Sequence, residues 1–148
     1  MDFIHIILAD DDADDRFFFK RAFSKALIPV EVVTVEDGQE LTELLGEIKN
    51  PPPPDIIFLD INMPRKNGKT CLQEIRMDAK FNNTPVVMFS TSSYHKDIDE
   101  TYLGGANRYI SKTDFFGNEV PMLKKLFPTN WKQSLFNIAR EDYVVKHG

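Results

Sequence analysis

Five side chains that could carry charge or bonds through a reaction each close a short apolar run. Asp10 and Asp11 follow residues 3–9, and Asp60 follows residues 56–59. Ser90 follows residues 86–89, and Lys112 follows residues 108–111. A carboxylate can act as a nucleophile or bind a hard divalent cation. An ammonium or a hydroxyl can stabilise an anion that develops nearby. Singly, each has a plainer reading: a solvated strand end, a capping serine, a surface lysine. Together they gain weight, because four separate parts of the chain end in such groups.

The stretch Asp10-Asp11-Asp12-Ala13-Asp14-Asp15 holds five acids in six positions. Asp12 can cap a following helix, with Asp14 and Asp15 in its first turn, where the helix dipole favours negative charge. Two acids then remain at the end of a buried run. Crowded carboxylates there are costly unless a cation or a proton neutralises them. The pair is Asp10 with Asp11 or, one residue later in register, Asp11 with Asp12. Oxygen ligands of this kind suit Mg²⁺.

These groups cooperate only if their apolar runs share one sheet edge. Residues 56–59 are apolar without alternation and lie between Pro54 and Met63-Pro64. That pattern reads as a strand covered on both faces. Residues 3–9, 30–35, 86–89 and 108–111 read as the other strands. Between them, residues 16–27 place Phe19, Ala22, Phe23 and Ala26 at helical spacing, with Phe17 and Phe18 beside that stripe. The whole aromatic cluster reads as core. Residues 39–48, 68–79, 94–103 and 119–127 read as four further helices, and Asn67-Gly68 as a turn. Pro51 to Pro54 reads as a stiff extended connector. Strand and helix thus alternate five times, which predicts an α/β fold with a parallel sheet covered on both faces. The predicted architecture is a flavodoxin-like (βα)5 doubly wound sheet of strand order 2-1-3-4-5. Its site falls at the switch point between strands 1 and 3.

Composition removes several function classes. The net charge is −5 and no basic patch stands out, so no nucleic-acid partner is expected. The apolar runs are too short to span a bilayer. Asp2 and His5 stand where a signal peptide would carry positive charge. A cytoplasmic protein with no membrane partner is expected. Cys71 is the sole cysteine, so no internal disulfide forms, and its surroundings read as an apolar helix face.

On four motifs the chain resembles the receiver domain of two-component response regulators, of the single-domain type. These are Ile6-Ile7-Leu8-Ala9-Asp10-Asp11-Asp12, Leu59-Asp60-Ile61-Asn62-Met63-Pro64 with Gly68, Phe89-Ser90-Thr91, and Tyr109-Ile110-Ser111-Lys112. The resemblance implies a receiver domain over residues 1–127 and leaves residues 128–148 as a C-terminal extension. Trp131 and the stretch 143–145 are expected to pack that extension over one side of the domain. The resemblance also implies that Asp60 is the phosphoacceptor of a phosphorelay, with a sensor histidine kinase or phosphotransfer protein as donor. Mg²⁺ (or Mn²⁺) would be held by Asp11, Asp60, the Asn62 backbone carbonyl and, through water, Asp10. Lys112 would contact the phosphoryl oxygens, and Ser90 would donate its hydroxyl to them. Tyr109 would follow inward behind Ser90, changing the face built from helix 4, strand 5 and the helix at 119–127. A downstream protein target reads that face, through which a homodimer could also form.

Two departures from the family pattern stand out. Thr113 follows Lys112 where the family usually has proline joined by a cis bond. A cis bond before a non-proline costs about 2.5–4 kcal/mol. A trans or visibly strained bond is expected, which puts the direction of Lys112 in question. Ser90 stands where threonine is common. One alternative is a receiver-like module that binds proteins without being phosphorylated. Another is a phosphohydrolase, against which stands Asn62, at the position where such enzymes commonly carry an acidic group. No enzyme activity is expected beyond slow self-dephosphorylation.

Overall fold

The computed structural model describes residues 2–48, 53–136 and 138–147. Five parallel strands form the sheet: β1 (Ile4–Ala9), β2 (Val30–Val35), β3 (Ile56–Leu59), β4 (Val86–Ser90) and β5 (Arg108–Ser111). Their order is β2-β1-β3-β4-β5. The helices are α1 (Ala13–Lys25), α2 (Gly38–Gly46), α3 (Gly68–Met77), α4 (His95–Leu103), α5 (Lys112–Phe115), α6 (Glu119–Leu126) and α7 (Trp131–Ser134). The doubly wound sheet expected from the sequence is therefore present. Pro51 and Pro52, half of the supposed connector, lie outside the described residues.

The unbroken apolar runs follow from burial on two faces. Ile7, Ala9, Ile57, Leu59 and Met88 pack in one layer with Leu41, Leu45, Cys71, Leu72 and Ile75 of α2 and α3. Ile6, Leu8, Ile56, Phe58, Val87 and Phe89 pack in the other with Phe19, Phe23, Met122 and Leu126 of α1 and α6. A strand serving two apolar layers has no solvated side, so no polar alternation appears. The reading of Phe17 and Phe18 as core is corrected. They are 60% and 45% exposed, because the helical period that buries Phe19, Ala22 and Phe23 turns them outward.

Helix starts are set by caps. Asp12 accepts a hydrogen bond from the Asp15 amide at 2.9 Å, which starts α1 three residues ahead of residue 16. Asn67 caps α3 in the same way, accepting from the Thr70 amide at 3.0 Å. Gly68 is the first residue of α3 and lies against the strand end. A Cβ there would sit 2.0 Å from the Asp60 backbone oxygen. The glycine therefore serves close approach rather than a turn.

After β5 the chain makes one helical turn, α5, which the sequence reading missed. The tail then returns to the edge of the sheet. The Tyr109 amide donates to the Tyr143 carbonyl and the Val145 amide donates to the Tyr109 carbonyl, both at 2.9 Å. Tyr143 is fully buried, and its hydroxyl lies 2.7 Å from Thr101 Oγ1 on α4. Tyr143 joins the layer of α2 and α3, while Leu135 and Val145 join that of α1 and α6. Trp131 is half-buried beside Phe127, with ring centroids 5.2 Å apart. The tail thus reaches both layers around β5 and covers an edge that would otherwise offer unpaired backbone groups.

Loss of that anchor is a direct test. Tyr143→Ala should lower unfolding stability by about 3–5 kcal/mol, as for other large buried aromatics, measured by chemical denaturation. A loss below about 1 kcal/mol would mean that the tail contributes no core.

Candidate functional site

Strands β1 and β3 are neighbours, with Ala9 opposite Leu59. The residues that follow, Asp10 and Asp60, therefore emerge together. Backbone bonds fix both: the Asp60 amide donates to the Ala9 carbonyl and the Asp10 amide to the Val35 carbonyl, each at 3.0 Å. Asp11 completes the group. One carboxylate oxygen from each of Asp10, Asp11 and Asp60 lies within 4.8 Å of the others. Asp12 is used as the α1 cap, so the acids grouped at the end of β1 are Asp10 and Asp11.

Asp10 is fully buried, Asp60 is 5% exposed and Asp11 faces solvent. Lys112 is buried beside them at the end of β5. Its Nζ lies 2.7 Å from Asp10 Oδ2, 2.9 Å from Asp15 Oδ2 and 3.0 Å from Asp60 Oδ2. The contacts with Asp15 and Asp60 are hydrogen bonds as well as ion pairs. The contact with Asp10 is a close ion pair. Asp10 Oδ2 is the one buried side-chain oxygen or nitrogen among the described residues with no hydrogen bond. Its other oxygen, Oδ1, accepts from the Asp12 amide at 3.0 Å.

The electrostatics follow from one ammonium serving three acids. Burial pushes the Asp10 carboxyl up from 3.8 to about 6, against the pull of Lys112 and with help from the Asp60 charge. Burial likewise raises Asp60, opposed by Lys112. For Lys112, burial works against the charge, but Asp10, Asp60 and Asp15 outweigh it and raise its pKa. The residues present fit a divalent cation: hard oxygen donors, one of them buried and unbonded, in a pocket where negative charge is strained.

The other sequence-predicted groups lie around this centre. Ser90 is fully buried at the end of β4, and its Oγ accepts from the Ser92 amide at 3.2 Å. Asn62 is exposed, two residues past Asp60. Tyr109 differs from expectation. It is already inside, fully buried, with its hydroxyl donating to the Ser92 carbonyl at 2.8 Å. The Tyr143 ring lies against it, with centroids 6.0 Å apart. The ring therefore already occupies the inward position in this structure. Sequence reasoning missed Asp15, which it assigned to the helix dipole. The available signal was the surplus of acids, more than one cap and one cation could use.

A parallel five-stranded sheet with an acidic pocket at its switch point defines a class, and comparison with known proteins agrees. The model of the response regulator receiver domain matches residues 6–116, and the chain belongs to that family of two-component systems. It is 31% identical over 111 residues to response regulator Rcp1 of Synechocystis sp., covering 73% of this chain and 76% of that protein. It is 27% identical over 107 residues to chemotaxis protein CheY1 of Helicobacter pylori, covering 72% and 83%. Among solved structures it is similar to the phosphorylated cyanobacterial phytochrome response regulator RcpA. There the TM-score is 0.69, with 34% identity and 90% and 87% of the two chains covered. The Mn²⁺-bound form of Rcp1 gives a TM-score of 0.73 with 26% identity, covering 91% and 96%. No helix among the described residues is long and apolar enough to cross a membrane.

The raised acids make a signed pH prediction. A carboxyl whose folded pKa exceeds its unfolded value contributes stability that is full below about pH 4. That stability is lost as pH rises through the folded value. In chelator the protein should therefore lose about 3 kcal/mol on account of Asp10 between about pH 4 and pH 7. Asp10→Asn should flatten that fall in denaturation curves run at each pH. A fall as steep in the variant would assign it to other groups.

Proposed function

We propose that this protein is a phosphorylation switch in which Asp60 accepts a phosphoryl group from a phosphohistidine. The donor is a sensor histidine kinase or a phosphotransfer protein. The observation that carries this reading is the grouping of the Asp10, Asp11 and Asp60 carboxylate oxygens within 4.8 Å of one another, beside the buried Lys112. Such a pocket is primed for a cation and for an anion bound close to it. The phosphorylated form of RcpA and the Mn²⁺-bound form of Rcp1 support the same chemistry by analogy. Two of the similar structures, RcpA and RPA3017 of R. palustris, are a phytochrome response regulator and a response regulator in red-light signalling, which makes a light-sensing kinase the first donor to test.

In the transfer, an Asp60 carboxylate oxygen bonds to phosphorus while the bond from phosphorus to the imidazole nitrogen breaks. The imidazole keeps that electron pair. Mg²⁺ or Mn²⁺, held by Asp10, Asp11, Asp60 and the Asn62 carbonyl, would neutralise the negative charges that must meet. Lys112 turns from the Asp60 carboxylate to the new phosphoryl oxygens as a point charge. Ser90 donates its hydroxyl to the same group. The Ser92 amide is bonded to Ser90, so the loop ahead of α4 moves with it. A phosphoryl group adds about −1.5 to −2 of charge, enough to bias such a two-state loop. A downstream protein reads the face of α4, β5 and α6. Residues 1–127 form the receiver unit, 128–148 its extension, and the setting is cytoplasmic. Self-dephosphorylation is at most slow.

Incubation with a small-molecule phosphodonor and Mg²⁺, followed by intact mass, tests this. Wild type should gain one phosphoryl group, and Asp60→Asn none. An equal gain in the variant would place the acceptor elsewhere. No gain in wild type would favour a binding module that works without phosphorylation.

A further inference from the structure

We propose that Asp15 is a positioning residue for Lys112, receiving its ammonium when a divalent cation takes the carboxylates of Asp10 and Asp60. This rests on the reading of the site given above. Lys112 touches three acids, and two of them, Asp10 and Asp60, also belong to the cation-compatible group. Asp15 does not. It is the partner of Lys112 outside that group, at 2.9 Å.

A buried ammonium and a divalent ion cannot share the same oxygens without strong repulsion. When the ion enters, Lys112 must give up part of its hold on Asp10 and Asp60. The apolar side of its pocket offers only the face of Phe89, 5.4 Å from Nζ. A buried charge left unpaired is costly. Asp15 removes that cost. It sits in the first turn of α1, where its own amide is tied to Asp12, and its carboxylate is half-buried. Lys112 can therefore shift toward Asp15 without leaving the edge of the site. It stays within reach of a phosphoryl group arriving at Asp60.

Without Asp15, cation entry strands the lysine. Asp15→Asn also removes a negative charge from the region, which would weaken cation binding by field alone. The two causes separate in a double-mutant cycle with Lys112→Met, read as Mg²⁺ affinity by calorimetry. Asp15→Asn should weaken Mg²⁺ binding about tenfold when Lys112 is present, the scale of coupling within one ion-pair network. In the Lys112→Met background the same change should cost no more than about twofold. Asp15→Glu should restore most of the affinity, and thermal melts of each variant confirm that it is folded. Equal weakening in both backgrounds, or no rescue by glutamate, overturns the role of Asp15 while leaving the metal site intact. Absence of Mg²⁺ binding by wild type overturns both this proposal and the site reading beneath it.

Discussion

One ammonium held among three carboxylates, two at the ends of parallel strands and one in the first turn of α1, is the interaction on which the rest depends. At these separations each pair attracts by about 5 kcal/mol with an effective dielectric of about 20. Withdrawing each ion from water costs several kcal/mol in return. The pairs therefore fix geometry more than they stabilise the chain. Three carboxylates around one ammonium leave a surplus of negative charge, compatible with a divalent cation. Asp10 Oδ2 is buried and without a hydrogen bond, with the Lys112 ammonium 2.7 Å away as its compensating charge.

The fold keeps this arrangement from relaxing. A carboxylate with room to move would turn to water, but both Asp10 and Asp60 are tied by their amides to neighbouring strands. The Arg16 guanidinium donates to the Asp10 carbonyl at 2.8 Å and holds the strand end to α1. Gly68 lets α3 press against Asp60, closing the space that a side chain would need. Phe89 closes the site beneath Lys112. The strain is local, and two apolar layers on the sheet support it.

What could be read in advance follows from range along the chain. The strand at 30–35 was legible to the residue because β-branched runs report local preference. The Asp12 cap was legible because it spans three residues. Asp60, Ser90 and Lys112 were legible because a parallel sheet turns sequence position into a shared edge. Phe17 and Phe18 misled because composition alone does not say which side of a helix faces the core. Asp15 was hidden because its partner lies 97 residues away. A side chain on the first turn of a helix can serve the dipole and a distant lysine at once. The path of the tail was hidden for the same reason, since Tyr143 meets Thr101 across 42 residues.

The tail also ties down the face built from α4, β5 and α6. The Tyr109 backbone is bonded on both sides by Tyr143 and Val145, and its ring lies against Tyr143. To swing outward, Tyr109 would break its bond to the Ser92 carbonyl and displace a buried ring that is itself tied to α4. Rotation of one exposed aromatic is a small step in free energy. Rotation of this one involves β5, α4 and the tail together. Ser92 stands at the other end of the same connection, its amide on Ser90 and its hydroxyl on Asp97 of α4. Lys69 of α3 holds Asp97 and Glu100 in turn. The site and α4 are therefore joined through a chain of backbone and part-buried polar contacts.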